Sequence, residues 1–121
     1  MLRCGMGERP TILLADDEEA ITAELQPFLE RAGFAVLVAR DGEAALAASL
    51  ASDPDLIVLD VLLPGLDGRE VLRRLRAGGR FNPVVLLTQV GAAGERAMAL
   101  EEGADDYLNK PFDPVVICVS R

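Results

Sequence analysis

Five short apolar runs, spaced at similar intervals along the 121 residues, constrain the fold of this chain more than any other feature. The first four runs are apolar at successive positions, a pattern typical of strands buried on both faces of a parallel sheet. The fifth run is weaker. The predicted strands are Thr11–Ala15, Ala35–Ala39, Leu56–Leu59, Val84–Leu87 and a segment around Tyr107–Leu108. A parallel sheet is therefore expected at the centre of the fold.

Segments with helical spacing lie between the predicted strands. In the first, apolar residues recur every three or four positions from Ile21 to Ala32, and Gly33 lies where a C-cap is expected. Pro27 within this stripe is predicted to kink the helix or to end it early. The other predicted helices are Gly42–Leu50, a helix capped by Asp67 that ends at Gly78-Gly79, Glu95–Glu102 closed by Gly103, and a fifth helix starting at Asp113-Pro114. The alternation of strands and helices predicts an α/β fold with a doubly wound parallel sheet.

Composition excludes several classes of function. The net charge of −8 disfavours direct binding to nucleic acid or to anionic membranes. The chain has no histidine, which excludes catalytic triads, His-ligated zinc and phosphohistidine within it. Its two cysteines, Cys4 and Cys118, do not make a disulfide framework and favour a reducing, cytoplasmic setting. No apolar run is long enough for a signal peptide or a membrane helix. We expect a disordered leader over residues 1–10 and a single domain over residues 11–121.

Polar side chains occur where the predicted strands end. Asp16 and Asp17 follow the first strand, Asp60 follows the third, Thr88 follows the fourth and Lys110 lies just past the fifth. Ligands of open α/β sheets bind outside the carboxyl ends of the strands, so these side chains are expected at one rim. Taken singly, Asp16-Asp17 also fits a helix N-cap, and Thr88 or Lys110 fits an ordinary surface residue. Their joint placement favours a functional site.

Three carboxylates at one rim repel one another, and proteins relieve such repulsion by raising a pKa or by binding a cation. Ligands that are all oxygen select a hard cation, and Mg²⁺ fits best because it leaves positions open for phosphate oxygens. A hydroxyl and an ammonium opposite the metal suit a phosphoryl group. Asp60 is the candidate acceptor, because aspartyl phosphates occur as covalent intermediates.

Three segments of this chain resemble the receiver domain of two-component response regulators. They are Leu13–Glu18, Leu59–Gly68 and Gly103–Phe112, and the resemblance runs from about Thr11 to Asp113. It implies a flavodoxin-like fold with strand order 2-1-3-4-5. Within these segments we interpret Gly65 and Gly68 as turn residues.

The resemblance implies roles for the acidic residues. Asp60 matches the phosphoacceptor, which takes its phosphoryl group from phosphohistidine on a sensor histidine kinase or a phosphotransfer protein. Asp16 and Asp17 match the acidic pair that holds Mg²⁺ together with Asp60, and the backbone carbonyl of Leu62 is a further expected ligand.

The resemblance also implies a switch. Lys110 matches the lysine that pairs with the phosphoryl oxygens, and its bond to Pro111 is cis in the family. Thr88 matches the switch hydroxyl, and Tyr107 matches the aromatic residue that turns inward in response. Phosphorylation would then reshape the surface of helix 4, strand 5 and helix 5, which would form a homodimer or contact an output domain. Because Gly103–Phe112 resembles receivers attached to winged-helix transcription factors, the expected output is transcriptional regulation.

Some residues depart from the family pattern. Gln89 is bulky where a small residue is usual, and Val115–Val119 lacks the amphipathic pattern of a last helix, so helix 5 is expected to be truncated or irregular. Leu62 and Val90 are apolar and predict a long-lived phosphoryl group. One alternative is a degenerate receiver that is not phosphorylated. A second is a phosphatase of another α/β class, but such enzymes have a second Asp two residues after the nucleophile, where this chain has Leu62. A third is a flavin-binding domain, but no phosphate-binding loop follows strand 1.

Overall fold

A computed structural model of the protein describes residues 9–89 and 103–110. These residues form a five-stranded parallel sheet with strand order β2-β1-β3-β4-β5, flanked by three helices. The strands are β1 (Thr11–Ala15), β2 (Ala35–Ala39), β3 (Leu56–Asp60), β4 (Val84–Gln89) and β5 (Asp106–Lys110). The helices are α1 (Glu19–Arg31), α2 (Gly42–Ser52) and α3 (Gly68–Ala77). The predicted doubly wound sheet and its strand order are confirmed.

Several expectations lie outside the described residues. They are most of the leader over residues 1–10, the predicted helices at Glu95–Glu102 and from Asp113 onward, and the peptide bond between Lys110 and Pro111. Within the described ranges, no helix has the length and apolar character needed to span a membrane.

Successive side chains of β1 point to opposite faces of the sheet and belong to two separate core clusters. Leu13 joins a cluster that includes residues of α2 and α3, whereas Leu14 joins a cluster that includes Leu25 and Leu29 of α1. The two clusters explain why the central strands are apolar at every position, since neither face meets water. The central strands are therefore covered by helices on both sides.

The expectation that β2 is buried on both faces is wrong. Leu37 is 38% exposed, and Val36 and Val38 are only half-buried. The reason is the strand order, which puts β2 at an edge where it pairs with β1 alone.

Of the two expected effects of Pro27, early termination is wrong, because α1 continues to Arg31. A proline lacks the N–H that would bond to the carbonyl four residues before it, here that of Ala23. Both Pro27 and Ala23 are exposed, so water can satisfy this carbonyl. The helix ends as predicted, with Gly33 in the left-handed region (φ 104°) directly after the cap residue Ala32.

Arg76 at the end of α3 fixes the start of β5. Its Nη2 donates to the carbonyl oxygen of Gly103 at 2.8 Å and to Asp105 Oδ2 at 3.4 Å, while its Nη1 donates to the carbonyl of Arg80 at 3.0 Å. Burial lowers the pKa of Arg76, although the nearby Asp105 opposes this shift. Asp105 Oδ2 also accepts from the amide of Val84 at 2.8 Å. These bonds tie α3 to the beginnings of β4 and β5.

Asp67 caps α3 as predicted, since its Oδ1 accepts from the amide of Glu70 at 2.9 Å. We expect Asp67→Ala to lower the free energy of unfolding by about 0.5–2 kcal/mol, because the amide loses its partner. Urea unfolding followed by circular dichroism measures the change. Asp67→Asn keeps a cap oxygen and is the control; a loss as large in this variant as in Asp67→Ala would contradict the capping role.

Candidate functional site

The structure brings together Asp16, Asp17 and Asp60, the three carboxylates singled out in the sequence. One carboxylate oxygen from each lies within 4.8 Å of the others. Asp16 is 2% exposed and Asp60 is 5% exposed, whereas Asp17 faces solvent. The cluster is therefore a partly buried acidic pocket that is open on one side.

The register between β1 and β3 creates this pocket. The two strands pair in parallel with Ala15 opposite Leu59, so the next residues, Asp16 and Asp60, come level at the carboxyl ends. The point between β1 and β3 is also where the strand order reverses, which is the usual ligand position in open α/β sheets.

Asp16 turns the chain from β1 towards α1. Its amide donates to the carbonyl of Ala39 at 3.1 Å, and its Oδ1 accepts from the amide of Glu18 at 2.9 Å. The N-cap residue of α1 is Glu18, which makes no side-chain capping bond. The alternative interpretation of Asp16-Asp17 as an N-cap is therefore wrong.

Asp60 is the last residue of β3 and not the first residue after it. Its Oδ1 accepts from the amide of Leu62 at 3.1 Å, which orients the carboxylate. The side chain of Leu62 is 64% exposed. The loop that follows β3 thus supplies the backbone amide of Leu62 as a donor to Asp60, while the side chain at this position is apolar.

Gly68 has a role that its interpretation as a turn residue missed. Gly65 does lie in the left-handed region, with φ 78°, but Gly68 is the first residue of α3. A β-carbon on Gly68 would overlap the carbonyl oxygen of Asp60 and lie 3.0 Å from its carbonyl carbon. Gly68 is therefore needed for the close approach of α3 to the backbone of Asp60, a contact that leaves no local signal in the sequence.

Thr88 and Lys110 belong to the same rim through their strands. β4 pairs with β3 so that Leu87 lies opposite Asp60, and Thr88 is the next residue of β4, at 4% exposure. Gln89 pairs with Lys110, so both strands extend further than predicted, and Thr88 and Lys110 lie within them. Parallel neighbours end at the same edge, which brings the backbones of both residues to the side of the acidic pocket.

Tyr107 is 4% exposed and belongs to the core cluster on the α2 and α3 side of the sheet. It lies opposite Leu86 of β4. The structure therefore has this ring inside the protein, three residues before Lys110.

The donor set of the pocket fits a hard divalent cation. Each pair of charged oxygens at this separation repels by about 3 kcal/mol at an effective dielectric constant of about 20, and a cation between them reverses the sign. Carboxylate oxygens are the ligands that Mg²⁺ uses in proteins, usually alongside water and phosphate oxygens. Asp16, Asp17 and Asp60 would hold the ion, which would neutralise negative charge on an incoming phosphoryl group.

The sheet order and the acidic pocket at the strand reversal define a doubly wound α/β protein with a ligand site between β1 and β3. The family model of the response regulator receiver domain matches residues 12–120, and the chain belongs to that family. Phosphorylation on an aspartate is the general mechanism of this family. The chain is thus a phosphorylation-dependent switch module.

Its curated relatives are longer regulators. The chain is 50% identical over 103 residues to the alkaline phosphatase synthesis transcriptional regulatory protein PhoP of Bacillus subtilis, covering 85% of this chain and 43% of PhoP. It is 46% identical over 110 residues to the transcriptional regulatory protein TcrA of Mycobacterium tuberculosis, covering 91% of this chain and 44% of TcrA. The chain therefore spans less than half the length of these relatives.

Solved structures of receiver domains are similar over most of their length. The receiver domain of the Francisella response regulator 1452 has a TM-score of 0.86 at 34% identity, and the match covers 91% of this chain and 91% of that one. The BeF₃-activated N-terminal receiver domain of Klebsiella pneumoniae RstA has a TM-score of 0.83 at 32% identity, with 90% of this chain and 92% of that one covered.

Proposed function

We propose that Asp60 accepts a phosphoryl group from phosphohistidine on a sensor histidine kinase or a phosphotransfer protein, with Mg²⁺ held by Asp16, Asp17 and Asp60. The observation that carries this proposal is the meeting of three carboxylate oxygens within 4.8 Å at the strand reversal. The histidine that the reaction needs belongs to the partner, since this chain has none.

The transfer is a displacement at phosphorus. A carboxylate oxygen of Asp60 forms a bond to phosphorus while the bond from phosphorus to the histidine nitrogen breaks, and the neutral imidazole leaves after taking up a proton. The amide of Leu62 holds Oδ1 at 3.1 Å, which restricts rotation of the carboxylate. A bound Mg²⁺ supplies positive charge to the phosphoryl oxygens, and the carbonyl of Leu62 is a further proposed ligand.

Three residues of β4 and β5 complete the proposed site. The ammonium of Lys110 would pair with phosphoryl oxygens, and the hydroxyl of Thr88 would donate to them. Tyr107 would respond to the movement of Thr88, because both lie on the paired strands β4 and β5. The switch would alter the surface of predicted helix 4, β5 and predicted helix 5, through which the protein would form a homodimer or contact an output domain.

We further propose that the switch controls transcription in the cytoplasm. PhoP of Bacillus subtilis and TcrA of Mycobacterium tuberculosis are transcriptional regulatory proteins, and similarity to them supports this output. The net charge of −8 assigns any contact with DNA to another part of the regulator. We assign residues 11–121 to the receiver domain, because the family match covers nearly the same range.

Incubation with acetyl phosphate and Mg²⁺, followed by intact mass measurement and peptide mapping, tests the proposal. We expect the mass gain of one phosphoryl group, located on Asp60, and no mass gain when EDTA removes the metal before acetyl phosphate is added. BeF₃⁻ with Mg²⁺ should shift the amide spectrum around the pocket. A degenerate receiver would give neither the mass gain nor the shift, and this result would overturn the proposal.

The exposed side chain of Leu62 supports a long-lived phosphoryl group. It lies two residues after Asp60 and cannot hydrogen-bond a water molecule for attack on phosphorus. We expect a half-life well above seconds, and Leu62→Asn should shorten it several-fold by adding an amide that orients water. The loss of the phosphoryl mass with time measures the half-life in the wild type and in Leu62→Asn. Leu50→Asn, at an exposed position on α2, is the control; a wild-type half-life of seconds would contradict the prediction.

A further inference from the structure

The loop between Asp60 and α3 is held by backbone contacts at Val61, Pro64 and Gly68. At the end near Asp60, the amide of Val61 donates to the carbonyl of Leu87 at 2.9 Å, and the amide of Gly68 donates to the carbonyl of Val61 at 2.9 Å. In the middle of the loop, the carbonyl of Pro64 accepts from the amide of Gly42 on α2 at 3.1 Å. Gly42 thus contacts the loop from α2, a helix that the loop does not connect.

Gly42 is packed against the loop too closely for any other residue. A β-carbon at this position would overlap the carbonyl oxygen of Leu66 and would lie 2.5 Å from both its carbonyl carbon and its β-carbon. Gly42 is not one of the glycines with positive φ, so its conformation does not require glycine. Its missing side chain serves the contact with the loop.

The side chain of Leu62 does not anchor the loop. Leu62 is 64% exposed, yet its amide is the donor that orients Asp60. Leu63 is buried, and Leu66 is partly buried against the core, so the loop is anchored after Leu62 and not at it. The position of the Leu62 backbone therefore depends on the contacts of Val61 before it and of Pro64 after it.

The connection from β2 to α2 contacts both Asp16 and the loop that follows Asp60. The carbonyl of Ala39 at its start accepts from the amide of Asp16, and the amide of Gly42 at its end donates to Pro64. We propose that Gly42 is a positioning residue for phosphoryl transfer: it holds the loop so that the Leu62 backbone faces Asp60 in the orientation the reaction needs. This inference rests on the proposed function of Asp60.

Gly42→Ala tests the inference by adding the methyl group that the loop cannot accommodate. Alanine is a better helix former than glycine, so an effect on α2 alone would leave the protein as stable or more stable. We expect the rate of phosphorylation by acetyl phosphate at saturating Mg²⁺ to fall about 10- to 100-fold, as for a small misplacement of reacting groups. The rate is measured at a temperature where circular dichroism shows the variant folded.

Gly78→Ala is the matched control, because it makes the same change after α3, at a negative φ and without contact to the loop. It should phosphorylate at the wild-type rate. If the wild type is phosphorylated and Gly42→Ala reacts equally fast, the inference is wrong. If the wild type itself takes up no phosphoryl group, the proposed function fails instead.

A measurement on the wild type decides the matter if Gly42→Ala does not fold. The amide resonance of Gly42 should shift on addition of BeF₃⁻ and Mg²⁺, because this amide donates to the carbonyl of Pro64 in the loop that follows Asp60. Gly78 and Gly79, after α3, are internal references and should shift much less. A shift of Gly42 no larger than theirs would overturn the inference.

Discussion

Asp60→Asn is expected to reduce phosphoryl uptake from acetyl phosphate to background. The carboxamide has almost the same shape as the carboxylate, but its oxygen lacks the negative charge needed for attack on phosphorus. Removing one of three clustered charges also reduces repulsion, so the free energy of unfolding without metal should not fall. Intact mass measurement after incubation with acetyl phosphate and Mg²⁺ checks the uptake, and urea unfolding checks the stability.

Asp67→Asn is the matched control for this variant, since it makes the same change at an exposed aspartate that caps α3. It should retain phosphorylation. Uptake of a phosphoryl group by Asp60→Asn, on Asp16 or Asp17 for instance, would show that Asp60 is not the sole acceptor and would contradict the proposed function.

Gly68→Ala is expected to lower the free energy of unfolding by about 1–3 kcal/mol, the usual effect of overpacking. The added methyl group would overlap the carbonyl oxygen of Asp60, so either α3 or the end of β3 must move. The gain in helix propensity, at most about 1 kcal/mol, has the opposite sign. The same shift should displace Asp60 and slow its phosphorylation.

Urea unfolding of Gly68→Ala and Gly78→Ala separates the two effects. Gly78→Ala makes the same change to the entropy of the unfolded chain. Its added methyl group, however, would lie 3.3 Å from its nearest neighbour, the carbonyl oxygen of Arg74. Its stability should change by less than about 1 kcal/mol. An equally stable Gly68→Ala would mean that the tight contact with Asp60 does not determine the stability of this region.

Much of this fold could be predicted because its central strands are buried on both faces. Continuous apolar runs located β1, β3 and β4, and polar residues at the ends of those runs located Asp16, Asp17 and Asp60. The edge position of β2 could not be predicted from its own residues, because the strand order depends on contacts between distant segments. Whether Pro27 ends α1 could not be predicted either, since its effect depends on whether the freed carbonyl of Ala23 faces water.

The glycine contacts lay beyond the reach of the sequence pattern. Gly68 and Gly42 each open a helix, where glycine is not required by the backbone conformation. Their residue types alone are consistent with a turn at Gly68 and an ordinary helix start at Gly42. Only the distance between two backbones separates a turn glycine from one needed for close approach. The hydrogen bond from Leu62 to Asp60 is likewise a matter of distance and leaves no mark on residue type.

The pairing of β1 with β3 also has a thermodynamic consequence. Asp16 and Asp60 are far apart in the sequence, so an unfolded chain does not hold the acidic pocket together. A divalent cation that binds the pocket would therefore bind the native state alone, and its binding free energy would add to the stability of the fold. Each tenfold rise of free cation above its dissociation constant would add about 1.4 kcal/mol, so the midpoint of thermal unfolding would itself report occupancy of the pocket.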